Sequence, residues 1–222
     1  ITLNPSFGLA VTDKTDFLLR VGYNRIEQLE YVGLPSAVAN VPGVNPFQFT
    51  SAPDAPKTEI ENLSVHGSLT HRFNDAIAGA IQLRRFENRV DEFASTPFFE
   101  FADVQGTAAF QIRGSLPVDL VQWTGDAHQT VEGATGKVDH TLLVGITYDD
   151  TNYVGATGFD FSNFLVPYDY LTETPALSFG EVPTLNPALE NDYQTFAVYA
   201  QDHLQVGERL SLLLGGRYSQ YE

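Results

Sequence analysis

The sequence predicts an all-β chain, an antiparallel up-and-down transmembrane β-barrel wall of about eight long strands. Three observations carry this. Apolar and polar residues alternate with period 2 through long segments, which gives each strand two unlike faces. Short polar turns centred near residues 14, 74, 136 and 207 take turns along the chain with long irregular loops. Loop length therefore segregates by rim, as expected for short periplasmic turns and long extracellular loops. Finally, aromatic residues fall near both ends of the alternating segments. Phe17 and Phe73 lie beside short turns, and Tyr23, Tyr148 and Tyr218 lie toward the long loops.

The first strand is read over Thr2 to Val11, with Leu3, Phe7, Leu9 and Val11 against Asn4, Ser6, Gly8 and Ala10. Thr12 to Thr15 turns the chain into Asp16 to Glu30, where Phe17, Leu19, Val21 and Tyr23 oppose Arg20, Gly22, Asn24 and Gln28. Pattern is lost from Tyr31 to Lys57, a loop rich in Pro, Gly, Ala and Asn. The next hairpin joins Thr58–Phe73 to Ala76–Glu92 through Asn74 and Asp75. Arg85 and Glu87 fall on its apolar face, toward the far end. Phe93 to Pro117 reads as a second irregular segment, and the following strand as starting near Val118. That strand runs to Gly133, turns at Ala134 to Lys137, and returns over Asp139 to Asn152 with His140, Leu142, Val144, Ile146 and Tyr148 on one face. Val154 to Asn191 is the third long loop, with four prolines. A closing hairpin spans Tyr193 to Tyr221 around the tight turn Val206–Arg209, with Leu210, Leu212 and Leu214 in one row. The segments are about 10 to 17 residues long, well beyond the usual strand of about 5 to 6.

Composition narrows the function. A net charge of −16 and a pI near 4.5 argue against a nucleic-acid binder, which needs a basic face. Absence of Cys excludes disulfides, thiolate metal sites and Cys nucleophiles. No apolar run reaches the length of about 18 residues that a spanning helix needs, an absence without weight for a barrel. The chain starts at Ile1 inside an apparent strand, which suggests a processed or excised piece. Alternation with long loops also suits soluble β-helices, propellers and jelly rolls, or a small closed eight-stranded barrel acting as a binding or structural module through its loops.

No catalytic or metal site is read. Nucleophile elbow, phosphate loop and paired-histidine zinc motifs are missing from the sequence, and Asp149 and Asp150 point to opposite faces of one strand. His66 and His128 fall on an inward face, His140 and His203 near turns. Two residue sets remain. Arg20, Asn24, Gln82, Arg84, Gln122, Asp126, His128 and Arg217 would line the lumen, with Gln28 and Asn88 beside them. Plain solvation of the lumen, or contact with a plug, is the simpler account of them. Tyr31, Phe47, Phe49, Phe98, Phe99, Phe101, Tyr168 and Tyr170 lie on long loops at the expected extracellular side. They are candidates for ligand binding, or for small cores packing the loops against each other.

The residues then become familiar. Val138-Asp139-His140-Thr141-Leu142-Leu143-Val144-Gly145-Ile146-Thr147-Tyr148, preceded by Thr135-Gly136, resembles a recurrent strand of TonB-dependent siderophore receptors of the ferrichrome-iron type. The closing hairpin is similar to the family's next pair, through Tyr199-x-Gln201-Asp202 and Leu213-x-Gly215-Gly216-Arg217-Tyr218. Gly33-Leu34-Pro35 and His71-Arg72-Phe73-Asn74 add to the likeness, which covers nearly the whole chain. The resemblance implies a bacterial outer-membrane receptor in contact with lipid. It would bind a ferric siderophore outside and import it when TonB acts on a plug domain. Iron would enter only as the chelate, so no cofactor is expected. Family barrels also carry a plug, a TonB box and more strands. The chain is therefore expected to be an internal barrel segment, 1–222, without plug or closure.

Overall fold

A computed structural model describes residues 1–30, 33–34, 40–101, 108–161, 168–172 and 178–222, with the backbone alone at 96–101, 108–111 and 168. Its strands are β1 (Thr2–Leu3), β2 (Ser6–Thr12), β3 (Thr15–Gln28), β4 (Thr58–Arg72), β5 (Ile77–Phe101), β6 (Ala108–Thr135), β7 (Val138–Gly155), β8 (Gly158–Asp160), β9 (Tyr168–Asp169), β10 (Leu189–Val206) and β11 (Leu210–Tyr221). All belong to one antiparallel sheet in which each long strand pairs with its sequence neighbours. β1 and β2 both pair with β3 and are separated by Asn4 and Pro5, whose missing N–H interrupts the ladder; Val21 N still donates to Pro5 O. Gly136 and Gly207 take positive φ in two of the short turns, where a side chain would be strained.

Two expectations change. Phe93 to Pro117 is mostly not irregular, because β5 continues to Phe101 and β6 begins at Ala108. The two strands stay paired from Ile77↔Val131 to Pro97↔Gln111, after which the register shifts. Alternation fails there because the extension is covered by other connections, with Phe159 over Gly114 and Phe179 against Phe93, rather than set between lipid and lumen. The small closed barrel is also overturned. Among the described residues no pairing joins β11 to β1 or β2, and the sheet remains open at both edges.

Strand tilt follows from the register. Paired residues run across the sheet from Thr15 through His71, Gly79, Gln129, Val144 and Ala200 to Gly216. Thr15 is the first residue of β3, whereas Gly216 lies six residues past Leu210, the first of β11. With about 3.3 Å per residue and about 4.8 Å between strands, this stagger over six strand-to-strand steps corresponds to a tilt of about 35°. Closed membrane barrels tilt by about 35–45°.

One face is apolar and outward. On β7, Leu142, Val144, Ile146 and Tyr148 are exposed while Thr141, Leu143, Gly145, Thr147 and Asp149 are half-buried. This inverts the rule for proteins that fold in water. Allowing for the tilt, Tyr23, Trp123, Tyr148, Phe196 and Tyr218 fall within about 4 Å of one height, about 22–25 Å above His140. That spacing matches an apolar band of about 25 Å bordered by an aromatic girdle. Arg85 sits in the girdle, 5.4 Å from the Trp123 ring centroid and 2.8 Å from Glu87. Beyond it the same face turns ionic, with Arg25 3.0 Å from Glu59 and 3.1 Å from Glu27, and Arg89 3.5 Å from Asp91. At the lower edge His140 Nδ1 lies 2.8 Å from Asp202 Oδ2.

Candidate functional site

The register puts Arg20, Asn24, Gln82, Arg84, Gln122, Asp126, His128 and Arg217 on the face opposite the apolar row. Period-2 geometry alone accounts for this, since Cα partners on adjacent strands project to the same side. Asp126 is the hub of one cluster. Its Oδ1 lies 2.6 Å from His128 Nδ1, and its Oδ2 accepts from the Tyr199 hydroxyl at 2.8 Å. Gly145 makes this possible, because a Cβ there would stand 2.4 Å from Tyr199 Cζ and 2.9 Å from His128 Cβ. Arg217 donates through Nη2 to Thr147 Oγ1 at 2.8 Å and through Nε to Ser219 Oγ at 3.1 Å. Thr124 donates to Asp149 at 2.9 Å, and Asn88 to Asn62 at 2.8 Å. Tyr199, Thr147, Thr124, Asp149 and Asn62 are partners that the sequence left out of the site. Their parity was readable, but which strands lie opposite at a given height was not.

The wall thus presents donors and acceptors on one side and lipid-compatible groups on the other. A chain of neutral and charged hydrogen-bonding groups can wet a lumen or hold a polar surface against it. Among the described residues no group of three or more His, Cys, Asp or Glu is placed to hold a metal ion.

Above the girdle the long connections fuse into one layer. β8 and β9 both add to β6, through Gly114↔Phe159 and Ala109↔Tyr168. Arg113, whose side chain is largely buried, pairs with Asp160 and donates to Phe179 O, tying β6 to two parts of the same connection. Asp54, from the first loop, accepts from the Ser178 hydroxyl and, at 2.7 Å, from Phe179 N. These bonds, the Ser178 hydroxyl foremost, hold the Asp54 carboxyl below the usual carboxylate range. Phe179 is buried, with its ring edge-on to Phe93 at 6.3 Å. Ser51 donates to Ser95 O at 3.2 Å, and Gln48 donates to Tyr170 O at 3.0 Å.

The eight loop aromatics divide accordingly. Tyr170 is 0% exposed and packs with Val44, Leu34 and Val41, so it forms a loop core rather than a surface. Phe47 is 91% exposed and Phe49 is 42% exposed, so both stay presented to solvent. Phe98, Phe99 and Phe101 stand on the extension of β5 rather than on a loop, and Tyr168 on β9; their side chains lie outside the described residues. Tyr31 lies outside them altogether. Gln48 and Asp54 in the first loop and Arg113 on β6 organise this layer, yet isolated polar residues carry no sequence signal of their partners.

Comparison with known proteins fits this architecture. The family model described as "TonB dependent receptor-like, beta-barrel" matches residues 2–222. Among solved structures, the ferric-catecholate import receptor Fiu from E. coli K12 is similar, with a TM-score of 0.83 at 15% identity, over 99% of this chain and 36% of that one. The siderophore receptor PiuA from Acinetobacter baumannii superimposes with a TM-score of 0.77 at 18% identity, over 98% of this chain and 34% of that one. The ferripyoverdine receptor of the outer membrane of Pseudomonas aeruginosa, bound to ferripyoverdine, gives 0.80 at 16% identity, over 97% and 29%. The chain thus spans about a third of the length of the structures it matches. No curated protein sequence matches it.

Proposed function

The chain belongs to the TonB-dependent receptor-like β-barrel family, a family of transport receptors, and from that membership we propose that it is part of an outer-membrane receptor for a ferric siderophore. In this reading the segment supplies about eight strands of a larger barrel. The remaining strands, the plug and the coupling to TonB come from other parts of the receptor. Its home is the outer membrane of a Gram-negative bacterium, with the apolar row of β7 against lipid and the Asp126 and Arg217 clusters toward the lumen.

The observation that carries this reading is the inverted exposure of β7 beneath a fused loop layer from which Phe47 projects into solvent. An aromatic ring presented to solvent on a loop can cover the face of a bulky chelate, giving up its own hydration for contact with the ligand. Iron is cargo here, held by the chelate's own oxygens, so the protein needs no resident metal or cofactor. A ferrichrome-type hydroxamate is the first chelate to test, beside catecholate and pyoverdine types.

The test is uptake of radioactive iron by iron-starved cells that depend on the full-length receptor. One of the three chelates is expected to enter in a TonB-dependent manner. Phe47→Ala should weaken its binding about ten-fold, the usual size for an aromatic anchor, without lowering the amount of receptor in the membrane. Uptake of none of the three, or uptake unchanged in a strain lacking TonB, would contradict the proposal.

A further inference from the structure

On the outward face, away from the lumen, a groove interrupts the apolar surface. It is an open cavity of about 490 Å³ on β4 to β7, within the range of about 300–1,000 Å³ that small-molecule sites occupy. All four strands are flanked by strands of this chain, β3 on one side and β10 on the other. β5 runs through the floor, where Gly79 pairs with His71 and Gln129, and Ile81 pairs with Leu69 and Ala127. Gly79 and Ala127 have little side chain, and the Phe73 ring lies 3.2 Å from where a Cβ on Gly79 would stand. Val144 and Ile146 form the far wall. The lower end is polar. His71 Nδ1 lies 2.7 Å from Thr15 Oγ1, and its ring is edge-on to Phe73 at 4.6 Å. Gln129 is exposed on this face, and among the described residues its side chain has no hydrogen-bond partner.

With the tilt derived from the register, His71 stands about 3 Å above His140, Gln129 about 8 Å and Ile146 about 16 Å. The groove therefore climbs about 13 Å from the short-turn rim, close to half of a hydrocarbon core about 30 Å thick. That is the depth of one leaflet, and the direction of an acyl chain entering from that rim. An amide inside the apolar band costs free energy unless it is paired. Without a protein partner, Gln129 finds its acceptor in the lipid, and the ester carbonyls of a glycerolipid lie at the boundary just below. Asp13 and Lys14, both exposed in the turn before Thr15, add one charge of each sign at headgroup level. They match a headgroup that carries an amine and a phosphate. Bulk tails are as apolar as leucine, so burial alone selects no lipid; shape and hydrogen bonding do. We propose that the groove holds one acyl chain of a zwitterionic phospholipid from the leaflet at the short-turn rim, with Gln129 donating to an ester carbonyl. Such a site requires that the apolar face meet lipid, as proposed above, but it is independent of the chelate that the receptor takes.

The test is photolabelling of the full-length receptor in vesicles of phosphatidylethanolamine and phosphatidylglycerol. A trace of the phosphatidylethanolamine carries a diazirine in one acyl chain, and labelled residues are read by mass spectrometry of peptides. Labelling at Leu69, Ile81 and Val144 should exceed that at Leu214, which the tilt places at nearly the same height on β11, by at least about five-fold. This comparison needs no variant to fold. Ala127→Phe fills the floor with a ring that lipid accommodates, and should cut groove labelling at least about five-fold while leaving Leu214 unchanged. Gln129→Leu keeps the volume and removes the amide, and should cut it about three-fold. Equal labelling of the groove and Leu214, or no effect of either variant, would overturn the site and leave only fluid lipid around the wall. Loss of groove labelling on addition of lipopolysaccharide would overturn it too, by assigning the groove to a different lipid. No label at Leu214 or in the groove would overturn the site together with the lipid-facing assignment it requires, a result distinct from the others.

Discussion

Ile81→Arg is the sharpest probe of the two-faced wall. Ile81 lies on β5 between Leu69 and Ala127 on the adjacent strands, and it is 61% exposed on the apolar face. With the tilt derived from the register it stands about 11 Å above His140, near the middle of a band of about 25 Å. A cationic side chain at the bilayer midplane of such a barrel costs about 2–4 kcal/mol, and neither Leu69 nor Ala127 offers it a partner. Gln82→Arg, one residue along on the polar face, should cost less than about 1 kcal/mol. Equilibrium unfolding of the full-length receptor carrying either substitution, in phospholipid vesicles and followed by circular dichroism, measures both. Equal penalties, or a larger one for Gln82→Arg, would refute the assignment of faces.

Gly145→Ala should destabilise the protein by about 1–3 kcal/mol, because the new methyl must displace Tyr199 from Asp126. Gly67→Ala, with nothing within 4 Å of its Cβ position, should be neutral or slightly stabilising in the same unfolding assay. Arg113→Met removes the tie to Asp160 and Phe179, and should cost about 1–3 kcal/mol and open the loops to limited proteolysis. The Asp54 carboxyl is depressed in the folded state, so its contribution is complete above the unfolded carboxylate pKa of about 3.9. That contribution is lost as pH falls through the lower folded value. Hydrogen exchange at Phe179 N should therefore stay protected near neutrality and rise, after correction for intrinsic rates, only in strong acid.

Much of the wall was readable before any coordinates, because period-2 alternation states which side each residue faces as soon as both sides have different solvents. Arg20, Asp126 and Arg217 needed nothing more than parity. The girdle was half readable: Tyr23, Tyr148 and Tyr218 stood out near loop ends. Trp123 and Phe196 join them only once register and tilt convert sequence position into height. The extension of β5 and β6 escaped notice because its stability comes from β8, β9 and the first loop, contacts distant in sequence. Tyr170 shows the same limit. A tyrosine in a Pro- and Gly-rich loop reads alike whether it faces a ligand or fills a core. Arg20, His66 and Arg84 are likewise spread over three strands and meet only through pairing.

The central claim is that one face of this sheet meets lipid and the other meets a lumen. These 222 residues have no cysteine, so single cysteines can be placed from Leu142 to Thr147 on β7 of a full-length receptor cleared of any other cysteine, spin-labelled, and the protein reconstituted in bilayers. Collision rates with oxygen, which concentrates in lipid, and with a water-soluble nickel chelate then read the environment of each position. Labels at 142, 144 and 146 should favour oxygen, and labels at 143, 145 and 147 should not. A profile without that two-residue period, or one with the opposite phase, would contradict the account.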